Sequence, residues 1–408
     1  QGSGVYALNS LGSAHPTALQ TDMFPLHRTF SEWKNSYYST IGVQHNGRFG
    51  GNHINNPDFI ANGTAGIMKD CQDCHMPDQV GVGCVFGSPA FPVRQDVPQH
   101  SFIGSNTWVL NAIRTMDSDG NGSPDYSDGE TGLSDDNVNS AITRNIDMLE
   151  KASDMTLTLI GTNSMRVRVI NRGGHKLPTG FPDGRRAWLN VKYYDCFEHL
   201  IAENGHYDWG TATLTKNDTK VYEIQLGIQG AAYAASVGLP EGPTHHFLLA
   251  NQVVKDNRIP SAGWFSPGSE LDQTKPVGAT YQSGQHWDDT NYSIPAAARH
   301  VIVTLNYQVT SKEFIEFLRD ANTTDTSGQV AYDLWVEYGM SAPVVMDQEE
   351  LFLPNPVDLN QDGQINIDDL TAIILQWGSS CPCSADINHD GQVNIDDLTA
   401  VILAWGSC

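Results

Sequence analysis

From residue 154 onward, apolar and polar side chains alternate in short runs. "MTLTLIG", "MRVRVINR", "AWLNVKYYD", "KVYEIQLGI", "HFLLANQVV" and "HVIVTLNYQVT" each follow a period of two, and Gly, Pro, Asn and Asp turns separate them. Such runs predict strands with one buried face, assembled as an antiparallel β-sandwich over residues 154–346. "KEFIEFLRDAN" interrupts them with helical spacing. Upstream, Val138, Ile142, Ile146 and Leu149 share one face of an expected helix whose N-cap is Ser134. Residues 1 to about 110 carry little periodicity. They are rich in Gly, Asn, His and Pro, and only "RTFSEWKNSYYSTI" looks helical. A segment of that kind packs poorly on itself and needs something to wrap around. The expectation is a multidomain α+β chain. It comprises a loop-rich, partly helical region over 1–153, the sandwich over 154–346, a Pro-bearing linker over 347–357 and a small α unit over 358–408.

The last unit is an internal repeat: "DLNQDGQINIDDLTAIILQWGSS" returns as "DINHDGQVNIDDLTAVILAWGSC". Oxygen-bearing side chains fall at the spacing of a twelve-residue calcium loop. In the first copy these are Asp358, Asn360, Asp362, Asn366 and Asp369, with the Gln364 carbonyl between them and Gly363 at the turn. In the second they are Asp386, Asn388, Asp390, Asn394 and Asp397, with the Gln392 carbonyl and Gly391. Carboxylates gathered in this way repel unless a cation neutralises them. A third stretch, "DSDGNGSPDYSD", sets Asp117, Asp119, Asn121, the Ser123 carbonyl, Asp125 and Asp128 on the same spacing. Pro124 and the lack of an apolar residue at the eighth place depart from the pattern.

Composition narrows the partners. With 47 acidic and 23 basic residues the chain carries a formal charge of −24, and no basic run interrupts it. Nucleic acid and anionic lipid need clustered Lys and Arg, so neither is expected. No apolar run approaches the length of a membrane span. The chain opens at Gln1 without an initiator Met, which points to a missing leader or a longer upstream portion.

Chemistry concentrates in "KDCQDCHMPD". Two thiols two residues apart can add to the two vinyl groups of one porphyrin, and the adjacent histidine then faces the iron. Cys71 and Cys74 are the expected thioether anchors of a haem c and His75 its proximal ligand. A redox dithiol would follow a strand and open a helix. A zinc site would need a second Cys or His pair, which Cys84 alone does not supply. His100, in "VPQHSFIGSNTW", is the expected sixth ligand, with His45 and His53 as alternatives. His175 lies in a glycine-flanked loop, "NRGGHKLPTGFPDGRRAW", for which packing on the haem region, with His175 near or on a haem, or a purely structural role are both open. The structural role is favoured there, with Arg185 and Arg186 pairing with Asp183 or Asp195.

"MFPLHRTFSEWKNS", "GRFGGN", "CQDCHMPD", "HSFIGSNTW", "GHKLPTGFPDGRRAWLNVKYYD", "VYEIQLGI", "KDNRIP", "VGATYQSGQHWDD" and "SKEFIEFLRDANTT" together resemble a planctomycete-like family of secreted bacterial multihaem c-type cytochromes, up to about residue 345. The resemblance implies bis-His ligation by His75 and His100, and further haem motifs upstream. His15 and His27 would then belong to haems this chain lacks, or to the surface. The C-terminal repeat resembles a type I dockerin, with one helix per loop and Asp at the twelfth place. That implies a small core of Leu370, Ile373, Ile374 and Trp377 with Leu398, Val401, Ile402 and Trp405. It also implies closure of Cys408 onto Cys381 or Cys383, and a cohesin-like or self-assembly partner. Ile367-Asp368 and Ile395-Asp396 stand where cellulosomal members carry Ser-Thr.

The function expected is an extracellular, periplasmic or cell-surface electron-transfer cytochrome subunit. Its haem would relay electrons to redox partner proteins or upstream haem domains, and its tail would bind calcium and assemble. The alternatives are a haem-dependent reductase or oxidase of a small nitrogen or oxygen compound, and an assembly protein in which haem is a staple. No nucleophile elbow accompanies a Ser, His and acid set, so hydrolase chemistry has no support.

Overall fold

The computed structural model describes residues 27–83, 91–161, 163–265, 274–380 and 383–406. Two antiparallel sheets dominate the middle of the chain. The larger has the strand order Gly242–Pro243, Val221–Ile228, Arg186–Tyr194, His300–Gln308, Val344–Phe352, with Gln252–Asp256 and Leu200–Asn204 pairing alongside. The smaller joins Trp287–Ser293, Ser164–Asn171 and Ser153–Leu159. In Ser164–Asn171 burial alternates residue by residue, as the sequence period requires. Met155, Met165, Val167 and Val169 from this sheet meet Trp188, Val191, Tyr193, Val301, Val303 and Leu305 from the other in one apolar core.

The helix Asp135–Lys151 forms where its apolar spacing predicts, and the Ser134 hydroxyl accepts from the Asn137 amide. Val138 and Leu149 are its buried face. Other elements differ from expectation. The helix at "RTFSEWKNSYYSTI" covers only Thr29–Lys34. In "HFLLANQVV" the strand begins at Gln252, after a turn through His246–Ala250. Helix Ser327–Glu337 and strands Trp287–Ser293 and Val344–Phe352 lack a clear sequence signal, and the last runs into the stretch expected as linker.

The C-terminal repeats each give a loop and a helix, Ile367–Leu375 and Ile395–Leu403. Ile365, Ile373, Ala385, Val393 and Val401 form their core. Each helix end is tied to the other copy's loop: the Gly378 amide donates to the Val393 carbonyl and the Gly406 amide to that of Ile365. The expected core is corrected here: Ile374, Trp377, Ile402 and Trp405 are exposed, together with Leu375 and Leu403.

Cys71 and Cys74 are free thiols, whereas Cys196 and Cys383 are disulfide-bonded. Cys84, Cys381 and Cys408 lie outside the described residues, and so does the closure expected for Cys408. His15 lies outside them too.

Candidate functional site

The motif Cys71–His75 folds as one short helical turn. Asp70 and Asp73 form a capping box at its start, and the Asp73 carboxylate accepts from the amides of Lys69 and Asp70. Backbone packs tightly behind it. A Cβ on Gly51 would lie 1.9 Å from the Asp73 carbonyl oxygen, so only glycine fits the "GRFGGN" segment at that point.

This turn forms one wall of a cavity of about 570 Å³, within the range of about 300–1,000 Å³ usual for cofactor sites. Cys74, Trp33, Tyr38, Phe49, Met68 and Met148 make an apolar cluster beside the motif. Burial pushes the Cys74 thiol up to about 12, the opposite of what a redox dithiol needs.

The opposite wall is the loop between strands Ser164–Asn171 and Arg186–Tyr194, and it carries His175. The rings of His75 and His175 lie 6.2 Å apart between centroids, with planes 21° from parallel. The Nδ1–H of His75 donates to the Ile103 carbonyl, and that of His175 to the Lys176 carbonyl at 3.2 Å. With Nδ1 committed to a carbonyl in both rings, Nε2 is the nitrogen left to ligate. Burial first, and then the nearness of His75, depresses His175 to about 4, so its ring is the neutral form that binds metal.

A buried charge cluster fixes the His175 loop. Arg258 contacts Asp256 and Glu32 at 2.8 Å, and Lys176 reaches Asp256 at 2.8 Å. The Thr179 hydroxyl and Lys176 amide also donate to Glu32. All four charged side chains are buried, and two acids balance two bases. They join the helix Thr29–Lys34, the His175 loop and the Gln252–Asp256 segment. A second tie lies nearby, where Arg48 and Arg172 both hold Asp154 at 2.6 Å.

His100 lies apart from this cavity. It is exposed, packs near Phe102 and is absent from the cavity wall, where His175 stands instead. His45 binds the Tyr38 hydroxyl at 2.6 Å and His53 the Asp96 carboxylate at 3.0 Å, and neither lines the cavity. His27 does line it. Arg186 pairs with Glu313, and not with Asp183 or Asp195. Three contributors escaped the sequence: Ser105, Arg185 and Tyr307, each on a different element and brought together only by the fold.

Could a haem fit? An imidazole nitrogen sits about 2.0–2.1 Å from a first-row metal and roughly 1.1 Å from its own ring centre, so two imidazoles on one metal place their centroids about 6.2–6.4 Å apart. The observed separation meets that requirement. Apolar walls, two free thiols and two Nε2 atoms complete the donor set.

The repeated loops share nearly all of their hydrogen bonds, and the second adds one from the Asn394 side-chain amide to Asp390. Asp358 accepts from the amides of Asp362 and Gly363, as Asp386 does from Asp390 and Gly391. Asp362 accepts from Gln364 and Asp390 from Gln392. Asp369 and Asp397, both fully buried, close the loops by accepting from Leu359 and Ile387. Gly363 and Gly391 take φ of 83° and 90°, as the turn demands. Asn366 and Asn394 cap the following helices, and Asn360 and Asn388 donate to Asp362 and Asp390.

The stretch 117–128 repeats the start of this geometry. Asp117 accepts from Asn121 and Gly122, and Asn121 from Ser123. Ligand atoms of Asp117, Asp119 and Asp125 lie within 4.8 Å of one another. Asp125 accepts from Ser118 and closes the loop, while Asp128 begins the next helical turn.

Residues 356–404 match the family of the Dockerin type I domain. The C-terminal unit is therefore a dockerin domain, a calcium-binding assembly module. No curated protein matches the chain. The solved structure of a penta-heme cytochrome c552 from Thermochromatium tepidum aligns at a TM-score of 0.32 and 15% identity, covering 71% of this chain and 59% of that one. No helix among the described residues is long and apolar enough to cross a membrane.

Proposed function

We propose that the chain is an electron-transfer c-type cytochrome unit carried on a dockerin. Cys71 and Cys74 would hold a haem covalently, and His75 and His175 would ligate it from opposite faces. The observation that supports this above all is the pair of facing imidazoles across a cavity beside two free thiols. The haem, once bound, supplies one-electron redox chemistry.

The rest is the work of the polypeptide. Backbone carbonyls of Ile103 and Lys176 orient the two rings, and the Glu32, Lys176, Asp256 and Arg258 cluster holds His175 in place. Trp33, Tyr38, Phe49 and Met148 keep water away. A reductase or oxidase needs an open distal face, and His175 would close that position, which favours relay over catalysis. Redox partner proteins, or haem domains upstream, would exchange electrons with the site.

The dockerin domain would bind calcium through Asp358, Asn360, Asp362, Gln364, Asn366 and Asp369, and through Asp386, Asn388, Asp390, Gln392, Asn394 and Asp397. A third ion would sit among Asp117, Asp119, Asn121, Ser123 and Asp125. Exposed Ile374, Leu375, Trp377, Ile402, Leu403 and Trp405 offer a surface to a cohesin-like or self-assembly partner outside the cell. The test is an intact mass and haem-stained gel of the native protein, followed by reduced spectra with and without carbon monoxide. A covalent haem that ignores carbon monoxide supports relay. A mass equal to bare polypeptide overturns it, and ready ligand binding supports catalysis instead.

A further inference from the structure

One end of the cavity is polar, and its chemistry differs from the apolar cluster around Cys74. Arg185 lines this end, with Tyr307 and Ser105 beside it. Tyr307 lines the cavity with Arg185 and is hydrogen-bonded, at 2.8 Å, to the Ser105 hydroxyl. Arg185 also donates to the Thr179 carbonyl. Among the described residues no carboxylate pairs with Arg185, and its Nε is buried without a hydrogen-bond partner. Arg186, next in the chain, pairs with Glu313.

The backbone is shaped to admit this guanidinium. A Cβ on Gly180 would lie 1.7 Å from Arg185 Nη1, and Gly180 takes φ of 99°. Among the described residues the only carboxylate lining the cavity is Asp70, which is engaged in capping the motif helix. A partly buried cation without a counter-charge is costly, and in a chain of net charge −24 its isolation from acids is the exception. Guanidinium and phenol donors facing one cavity are suited to a carboxylate.

We infer that Arg185, with Tyr307 and Ser105, is the binding site for a propionate carboxylate of a porphyrin seated between His75 and His175. This rests on the haem assignment above and adds the orientation of the ring: thioether edge toward Cys71 and Cys74, carboxylate edge toward Arg185. The same charge makes Arg185 a determinant of the haem potential, because a fixed cation beside the propionate favours the reduced, less positive iron.

The experiment uses the full chain matured with haem, as wild type, Arg185→Gln, Arg185→Lys and Tyr307→Phe. Haem content is read first, then the midpoint potential and the propionate bending band in resonance Raman. Arg185→Gln should keep its haem, lower the reduced-to-oxidised ratio at fixed potential about tenfold, equal to about 59 mV for one electron, and shift the band. Arg185→Lys should recover most of the potential, and Tyr307→Phe should shift the band alone. Should Arg185→Gln fail to mature, Arg185→Lys and Tyr307→Phe still decide, since a wild-type potential and band in both sinks the inference. A haem-loaded Arg185→Gln with wild-type potential and band likewise overturns the propionate site while leaving the haem assignment standing. A wild-type chain without haem removes the haem assignment itself.

Discussion

His75 and His175 come from separate regions of the chain, yet their rings face each other at 6.2 Å. The motif turn supplies one and the loop of the β-sandwich supplies the other, so the iron would bridge the two regions.

Replacing His175 with Ala should therefore open one face of the haem. The reduced protein should change from low-spin to high-spin absorption and bind carbon monoxide readily. His100→Ala, at an exposed position, should leave the spectrum as in the wild type. The reverse outcome, with His100→Ala opening the iron, returns the sixth position to the motif's own neighbourhood.

The contrast between these histidines bears on what the sequence could reveal. Cys71, Cys74 and His75 are local chemistry, so spacing alone exposes them. The alternating strands and the calcium loops are local as well, since periods of two and twelve repeat within a few residues. His175 carries no local sign that singles out its proposed role. Glycines flank it, and its value comes from the Arg258 and Lys176 cluster that presses its loop against the motif, a relation set by topology. His100 is favoured in the sequence by the resemblance and by the Pro-rich loop before it, both of them local signals. Trp377 and Trp405 misled in the other way. Their helical spacing resembles a core stripe, but the small repeat core is already filled by Ile373, Val401 and the loop residues Ile365 and Val393.

The buried cluster should be costly to break from one side. Arg258→Met leaves Asp256 and Glu32 short of a cation in the interior, and a loss of about 3–5 kcal/mol is expected. Chemical denaturation would read it as a lower midpoint with an unchanged slope. A loss below about 1 kcal/mol would mean that the carboxylates reach water, and that the cluster does little to fix His175.

Gly51 tests the close approach behind the motif. Gly51→Ala should cost about 1–3 kcal/mol and reduce haem attachment, because its Cβ would meet the Asp73 carbonyl at 1.9 Å. Gly83→Ala, where a Cβ meets open space, is the matched control and should keep both properties.

Calcium removal should act on the dockerin domain first. Chelation takes the counter-charge from Asp358, Asp362 and Asp369 and from their repeats, and the two loops are tied into one core through Gly378 and Gly406. Isothermal titration of the chelated full chain should find the two dockerin sites in the range of extracellular modules or tighter, beside the proposed third. Asp358→Ala combined with Asp386→Ala should abolish both. Heat retained in that double variant would report ions bound at Asp117, Asp119 and Asp125.

Acid sensitivity has an identifiable source at Glu313. Burial opposes its charge, but Arg186 and Lys216 outweigh that and hold its carboxyl at about 2. A folded-state pKa below the unfolded one means that the unfolded chain binds more protons as pH falls. The stabilisation is thus complete above about 4.5 and lost on descent toward 2. Nearly half of the side chain is exposed, so solvent screening cuts the contribution to about 1 kcal/mol. Glu313→Gln should lower the melting temperature at pH 7 while flattening its decline between pH 4.5 and 2. Parallel curves for wild type and variant would show that Arg186 draws nothing from this partner, and that the acid response arises elsewhere.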